Sequence, residues 1–255
     1  MRREIRRCLG VIVVLLMAVS SSTVAAAPVP SSGVSEALVK PGASVTFNDT
    51  YCTMNFVFRG SDGHRYVGTA GHCPLADVED VVVYKRGKGI PAGDGSGSPI
   101  GEFIFAAYST AKHYDFSLVR LDAGVRPDPQ MEHYGGPTGL NDEITTETEL
   151  VNTYGQGVGV TDVAPARQLV APHGFDDRET LFVTGLATPG DSGAPVTSEA
   201  DEALGILVAG GVFLRVPDEG VPYPGVVEIA RLEYNLDFAE QELGIELRLM
   251  KARAL

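Results

Sequence analysis

From Ser44 onward the sequence breaks into short apolar or alternating runs separated by turn residues: VTF, NFVFRG, HRYVGTA, DVVVYK, IGEFIFAAY, DFSLVRL, ELVNTYG, QLVA, TLFVTGL, APVT, ALGILVAGG and VVEIARL. About a dozen strand-like stretches, with turns every 8 to 15 residues and little helical period, argue against alternating β and α units and for an all-β barrel or sandwich. The end of the chain differs. In LEYNLDFAEQELG, Leu232, Leu236, Ala239 and Leu243 fall three or four apart, Glu240, Gln241 and Glu242 lie largely on the other side, and Gly244 is a stop. That spacing predicts a C-terminal helix docked by its apolar stripe. No internal repeat is visible, and 255 residues with 44% apolar content suffice for one large domain or two small ones.

Ahead of the strands, MRREIRRCL carries four arginines, GVIVVLLMAV is an apolar run of about ten, and SSSTVAAAP brings small residues. That order reads as a secretory signal over residues 1–26, cleaved after Ala26 with Val24 as the other small position. The run is shorter than the roughly 20 apolar residues of a spanning helix. Arg6 and Arg7, followed by Cys8 and Leu9, partly match a twin-arginine signal, so the export route stays open. Residues 27–43, rich in proline, serine and glycine, read as linker or short pro-segment, and residues 44–255 as the folded domain. Its two halves are about 44–130 and 131–231, followed by the helix.

Removing residues 1–26 takes the formal charge from −13 to about −16. So acidic a surface repels phosphate backbones and anionic lipid heads, which argues against nucleic-acid partners and stable membrane association after signal cleavage. The exported chain keeps two cysteines, Cys52 and Cys73, and an even pair in an oxidising compartment implies a disulfide, the alternative being two free buried thiols.

Three short stretches carry chemistry when read together: TAGHC (69–73), HYDFSLVRL (113–121) and TPGDSGAP (188–195). Taken singly, they offer a core histidine, an exposed aspartate and a turn serine. A serine hydroxyl is a poor nucleophile near neutral pH and needs an adjacent base, for which histidine is suited. The imidazole in turn needs an acceptor on its other nitrogen to fix its tautomer and stabilise the imidazolium, and a carboxylate does both. His72, Asp115 and Ser192 are the candidates.

The three motifs, in the order His, Asp, Ser, resemble those of the chymotrypsin-like, or trypsin-fold, serine peptidases, and the intervals of 43 and 77 residues look like those of compact bacterial members. The resemblance covers roughly residues 44–243, through motifs rather than continuous similarity. It implies two six-stranded antiparallel β-barrels with a C-terminal helix, the site lying between the barrels, and a Cys52–Cys73 bridge behind His72. It implies a secreted serine endopeptidase, expected to be monomeric and cofactor-free, acting on proteins or peptides. Gly190 and Ser192 would supply the backbone N–H groups of an oxyanion hole, worth roughly 3 kcal/mol each. Glycine at 190 would let its N–H turn inward without a Cβ against the substrate. Asp191 would anchor the loop. The family's zymogen switch pairs that aspartate with a newly cut N-terminus, yet no IVGG-like start is present, so the partner of Asp191 is open and signal removal with linker trimming is expected to suffice.

By the same similarity, Leu186 is the floor of the primary specificity pocket and Ala209, Gly210 and Gly225 are its walls. With no acid at the floor, a buried basic side chain would lack a counter-charge, which points to an apolar residue at P1. Val208 stands where the family often has a serine supporting the aspartate. Two other readings compete: a catalytically silent binding protein of the same fold, and an esterase-type acyl hydrolase using the same site. His64, His113, His133 and His173 lack paired metal-ligand spacing. GDGSGS (93–98) reads as a hairpin tip rather than a Ca²⁺ loop, and TYGQGVG (153–159) as a strand and turn beside the cleft rather than a phosphate loop.

Overall fold

The computed structural model describes residues 37–141, 143, 148–171, 177–210, 213–216, 219–222 and 225–255. The signal-like residues 1–26, residues 27–36 of the linker and His173 lie outside them. The first half of the chain comprises β1 (Ser44–Phe47), β2 (Thr50–Thr53), β3 (Val57–Gly60), β4 (Arg65–Thr69), α1 (His72–Leu75), β5 (Asp80–Val83), β6 (Pro91–Asp94), β7 (Pro99–Ser109) and β8 (Tyr114–Leu121). The second half holds β9 (Glu149–Tyr154), α2 (Val160–Val163), β10 (Ala166–Ala171), β11 (Thr180–Thr184), β12 (Pro195–Thr197), β13 (Ala203–Gly210), β14 (Phe213–Val216), β15 (Glu219–Pro222) and β16 (Val226–Arg231). The chain finishes with α3 (Leu232–Leu243) and β17 (Leu247–Leu249).

The all-β expectation holds. Six strands close a barrel in the order β10-β11-β16-β13-β12-β9, and the first half forms a sheet in the order β17-β3-β4-β8-β7-β6-β1-β2, with β5 on β7. That first sheet departs from a simple six-stranded barrel. Among the described residues no ladder joins β2 to β3; instead the chain between them bonds elsewhere, Met54 N–H to the Ala43 carbonyl at 2.7 Å and Asn55 N–H to that of Gly68 at 2.8 Å. The edge of β3 is taken by β17, in the register Leu247 to Gly60 and Leu249 to Phe58.

Burial follows from position. Central strand β8 lies between β4 and β7, so its interior residues Asp115–Val119 are all buried rather than alternating. Its Phe116 meets Phe58 edge-to-face at 6.2 Å, and Phe47 meets Phe103 at 5.2 Å, a geometry that sets a positive ring edge on a negative face. In the second barrel β10 alternates, with Arg167, Leu169 and Ala171 buried and Gln168 and Val170 exposed. Helix α3 buries Leu232, Leu236 and Ala239, as its spacing predicts, and ends at Gly244 in the left-handed conformation, whose N–H bonds the Glu240 carbonyl.

Residues 37–43, the end of the stretch read as linker or short pro-segment, contact the domain. Proline and glycine in VKPGA suggest a free segment, but Val39 and Ala43 are buried, and Leu38 N–H donates to Asp94 Oδ2 at 2.9 Å. Lys40 pairs with Glu132, and Asp128 N–H bonds the Val39 carbonyl. Asp94 opens the GDGSGS turn, and its Oδ1 accepts the Ser96 and Ser98 N–H groups and the Ser96 hydroxyl. Among the described residues, no helix is long and apolar enough to cross a membrane.

Cys52 and Cys73 are joined, 21 residues apart in sequence, tying β2 to α1. A loop of this length restricts the unfolded chain by about 3 kcal/mol. Replacing both cysteines by serine is therefore expected to lower unfolding stability by about that amount, read from the urea midpoint. A loss under about 1 kcal/mol would contradict it.

Candidate active site

TAGHC straddles the end of β4: the strand stops at Thr69, and His72 opens the short α1 rather than ending the strand. Asp115, the second residue of β8, is buried and faces it with both oxygens. Oδ2 lies 2.8 Å from His72 Nδ1, and Oδ1 accepts the His72 backbone N–H at 2.9 Å. Burial of the imidazole opposes its protonation, but the hydrogen bond to Asp115 and the charges of Asp115 and Asp77 outweigh it, so the His72 pKa lies above the ordinary 6.5. Val208 offers no hydroxyl to this pair. Support comes instead from α3, where the Asn235 side-chain carbonyl accepts the Asp115 N–H at 3.1 Å while its amide donates to the Arg231 carbonyl.

The PGDSG turn is fixed from both halves of the molecule. Thr53 on β2 donates its N–H to the Ser192 carbonyl at 2.8 Å and its hydroxyl to the Gly190 carbonyl at 2.7 Å. Asp191 is fully buried. Its Oδ1 lies 3.0 Å from Arg167 Nη2 and accepts the Gly157 N–H at 2.9 Å; its Oδ2 accepts the Thr188 N–H at 3.0 Å. Arg167 is thus the partner that sequence motifs did not reveal. A signal was present, since Arg167 stands on the otherwise apolar inward row of β10, and a buried cation needs an anion.

Gly190 is held where a side chain would meet protein atoms. Its φ is +100°, and a Cβ there would lie 2.7 Å from the Gln156 carbonyl oxygen and 2.9 Å from the Tyr51 ring. Both conformation and space exclude a side chain. Among the described residues, neither the Gly190 nor the Ser192 N–H donates to a protein acceptor.

His72, Ser192 and Gly190 line one cleft of about 640 Å³, bounded by the Cys52–Cys73 bridge and by Leu207–Gly210 of β13. Ala209 and Gly210 are in its wall. Leu186 and Gly225 are not: the Leu186 side chain is 45% exposed, and the chain before it is held to Gly225 by a 2.7 Å bond from the Gly185 N–H. TYGQGVG leaves β9 at Tyr154, and Gln156 N–H bonds the Thr53 hydroxyl, which sets this turn against the PGDSG loop. Among the described residues, no three His, Cys, Asp or Glu side chains converge as metal ligands.

No family model and no curated protein matches this sequence. Solved structures do resemble it in shape. A glutamic acid specific serine protease that uses a histidine triad in substrate binding superposes with a TM-score of 0.54 at 17% identity, covering 81% of this chain and 98% of its own. Thermobifida fusca Protease A gives 0.53 at 20% identity, covering 84% and 100%. A Nocardiopsis protease gives 0.56 at 18% identity, covering 83% and 100%. At such identities the likeness is one of fold.

Proposed function

We propose that this chain, which has the fold of the chymotrypsin-like serine peptidases, is an exported serine endopeptidase. The observation that carries the reading is the 2.8 Å contact between His72 Nδ1 and Asp115, His72 lining the same cleft as Ser192 and Gly190, whose backbone N–H groups have no acceptor among the described residues. Ser192 Oγ attacks the peptide carbonyl as its proton passes to His72 Nε2. The Gly190 and Ser192 N–H groups receive the oxyanion, and Asp115 holds Nδ1–H and stabilises the imidazolium. The C–N bond then breaks, the amine leaving with the proton from Nε2, and water repeats the sequence on the acyl-enzyme.

Asp191 is engaged by Arg167 from within the barrel, so the loop needs no newly cut N-terminus to hold it. Signal removal and trimming ahead of Ala37 are sufficient for maturation. Ala187 and Leu207–Gly210 of the cleft wall carry no charge, Asp77 lying beside His72 in the lining, which favours an apolar P1 side chain over lysine or arginine at that wall. The signal-like N-terminus supports a mature enzyme that acts outside the cell on protein or peptide substrates.

Labelling of the mature protein with a fluorophosphonate, followed by peptide mapping, tests the reading. Modification of Ser192 together with casein cleavage is expected. Absence of label on native protein would overturn it, and label with ester turnover but no peptide cleavage would assign the site to another acyl transfer.

The His72 environment sets the pH dependence. Only neutral His72 can accept the serine proton, and its pKa in the fold lies above 6.5. Activity is therefore lost as pH falls through a value above 6.5. The acid limb of the kcat/KM profile is the measurement, and a midpoint below 6.5 would contradict it.

A further inference from the structure

Three strands of the second barrel set Phe182 of β11, Glu228 of β16 and Ala209 of β13 in one row, Glu228 being the direct ladder partner of both neighbours. Directly opposed residues share a face of the sheet. All three line a cavity of about 770 Å³ that also includes His72, Asp115 and Val208. Val208 and Ala209 belong equally to the wall of the Ser192 cleft, so the cavity is that cleft's continuation along β13. The cleft's other boundary, at Tyr51 and the Cys52–Cys73 bridge, is not shared with it.

Glu228 is out of place in this row. Phe182 and Ala209 give it a phenyl ring and a methyl group as cross-strand neighbours, and among the described residues no hydrogen bond or ion pair to its carboxyl is present. Burial holds that carboxyl above the ordinary glutamate value; His113 opposes this, while Asp115 and Asp177 add to it. Asp77 is a further carboxylate in the lining, His113 is there as well, and no lysine or arginine is among the described lining residues. A half-buried carboxyl with no hydrogen-bond or ion-pair partner among the described residues is compensated when a cation arrives from outside. Apolar neighbours suit a cation on an aliphatic stem, and the Phe182 ring suits a guanidinium laid on its face.

We propose that Glu228 is a specificity-determining residue that selects substrates carrying lysine or arginine on the acyl side of the scissile bond, two to four residues before it. This rests on the peptidase reading above. It is distinct from the P1 choice: the uncharged wall beside Ser192 takes an apolar side chain, and the basic side chain lies further along β13. The resulting substrate class is a basic residue followed within a few positions by an apolar cleavage point.

Internally quenched peptides with a fixed apolar P1, varied among Lys, Arg, Ala and Glu at P4, P3 and P2, test the proposal on the mature secreted protein. At one of these positions Lys or Arg is expected to exceed Ala by about tenfold in kcat/KM, the scale of a charge-assisted contact, with Glu the poorest. In Glu228→Gln that ratio falls to within about twofold of one. In the wild type it shrinks in 1 M NaCl, where the Debye length is about 3 Å. Ala209→Leu, which sets a larger side chain beside the carboxyl, is a second variant and is expected to lose the same preference. A wild-type ratio near one at all three positions, or a ratio unchanged in both variants, overturns the proposal. Fluorophosphonate labelling separates the two claims: protein that labels at Ser192 but shows no basic preference sinks this inference alone, and protein that does not label sinks both.

Discussion

Alanine at Ser192 is expected to lower kcat on casein about a millionfold, the scale seen when a serine nucleophile acting in concert with its base is removed. The loss falls on chemistry rather than folding. The Ser192 backbone stays tied through its carbonyl to Thr53 N–H, and Asp191 keeps all its partners, so the change deletes one oxygen from a cleft-lining side chain. The urea midpoint should stay within about 0.5 kcal/mol of the wild type, and fluorophosphonate labelling should vanish. A variant retaining a tenth of wild-type turnover would rule out Ser192 as nucleophile.

The second large effect is on stability. Methionine at Arg167 fills much of the volume of the arginine stem but leaves Asp191, which has no exposed surface, with the Gly157 and Thr188 N–H groups as its side-chain partners. Removing one partner of a buried ion pair costs about 3–5 kcal/mol, because the remaining charge stays desolvated. Activity falls as well, since Asp191 sits between the two N–H groups proposed to receive the oxyanion. Adding Asp191→Asn to Arg167→Met removes the orphaned charge and is expected to restore part of the stability. A single-variant loss below about 1 kcal/mol, read from the urea midpoint, would show that the pair contributes little.

The catalytic candidates were legible because their chemistry demands particular residue types in short fixed contexts. TAGHC, DFSLVRL and PGDSG name His72, Asp115 and Ser192 without any knowledge of the fold. Supporting residues were harder to see, since their roles are set by tertiary approach. Arg167 announced itself only as a charge on an apolar row, Asn235 as a polar residue in a helix, and Thr53 as an ordinary strand threonine, yet these contact Asp191, Asp115 and the Ser192 loop. Strand β6 reads PAGD, rich in turn formers, and β17 is three residues long; both exist through their partners rather than through propensity. The contacts of residues 37–43 were hidden for the same reason. Their composition suits a tether, while Val39 finds a site in the core.

The strand added to β3 from the end of the chain has a bearing on the order of events in folding. Glu246 N–H bonds the Ser61 hydroxyl across 185 residues, and beyond β17 the Met250 N–H reaches the Val57 carbonyl while Gly136 N–H reaches that of Arg253. The edge of the first sheet is therefore finished by residues far downstream of the strand they pair with. Closing so long a loop is entropically costly and slow. It also makes β17 a checkpoint: until residues 247–249 have emerged, the sheet that presents His72 and Asp115 lacks its edge strand.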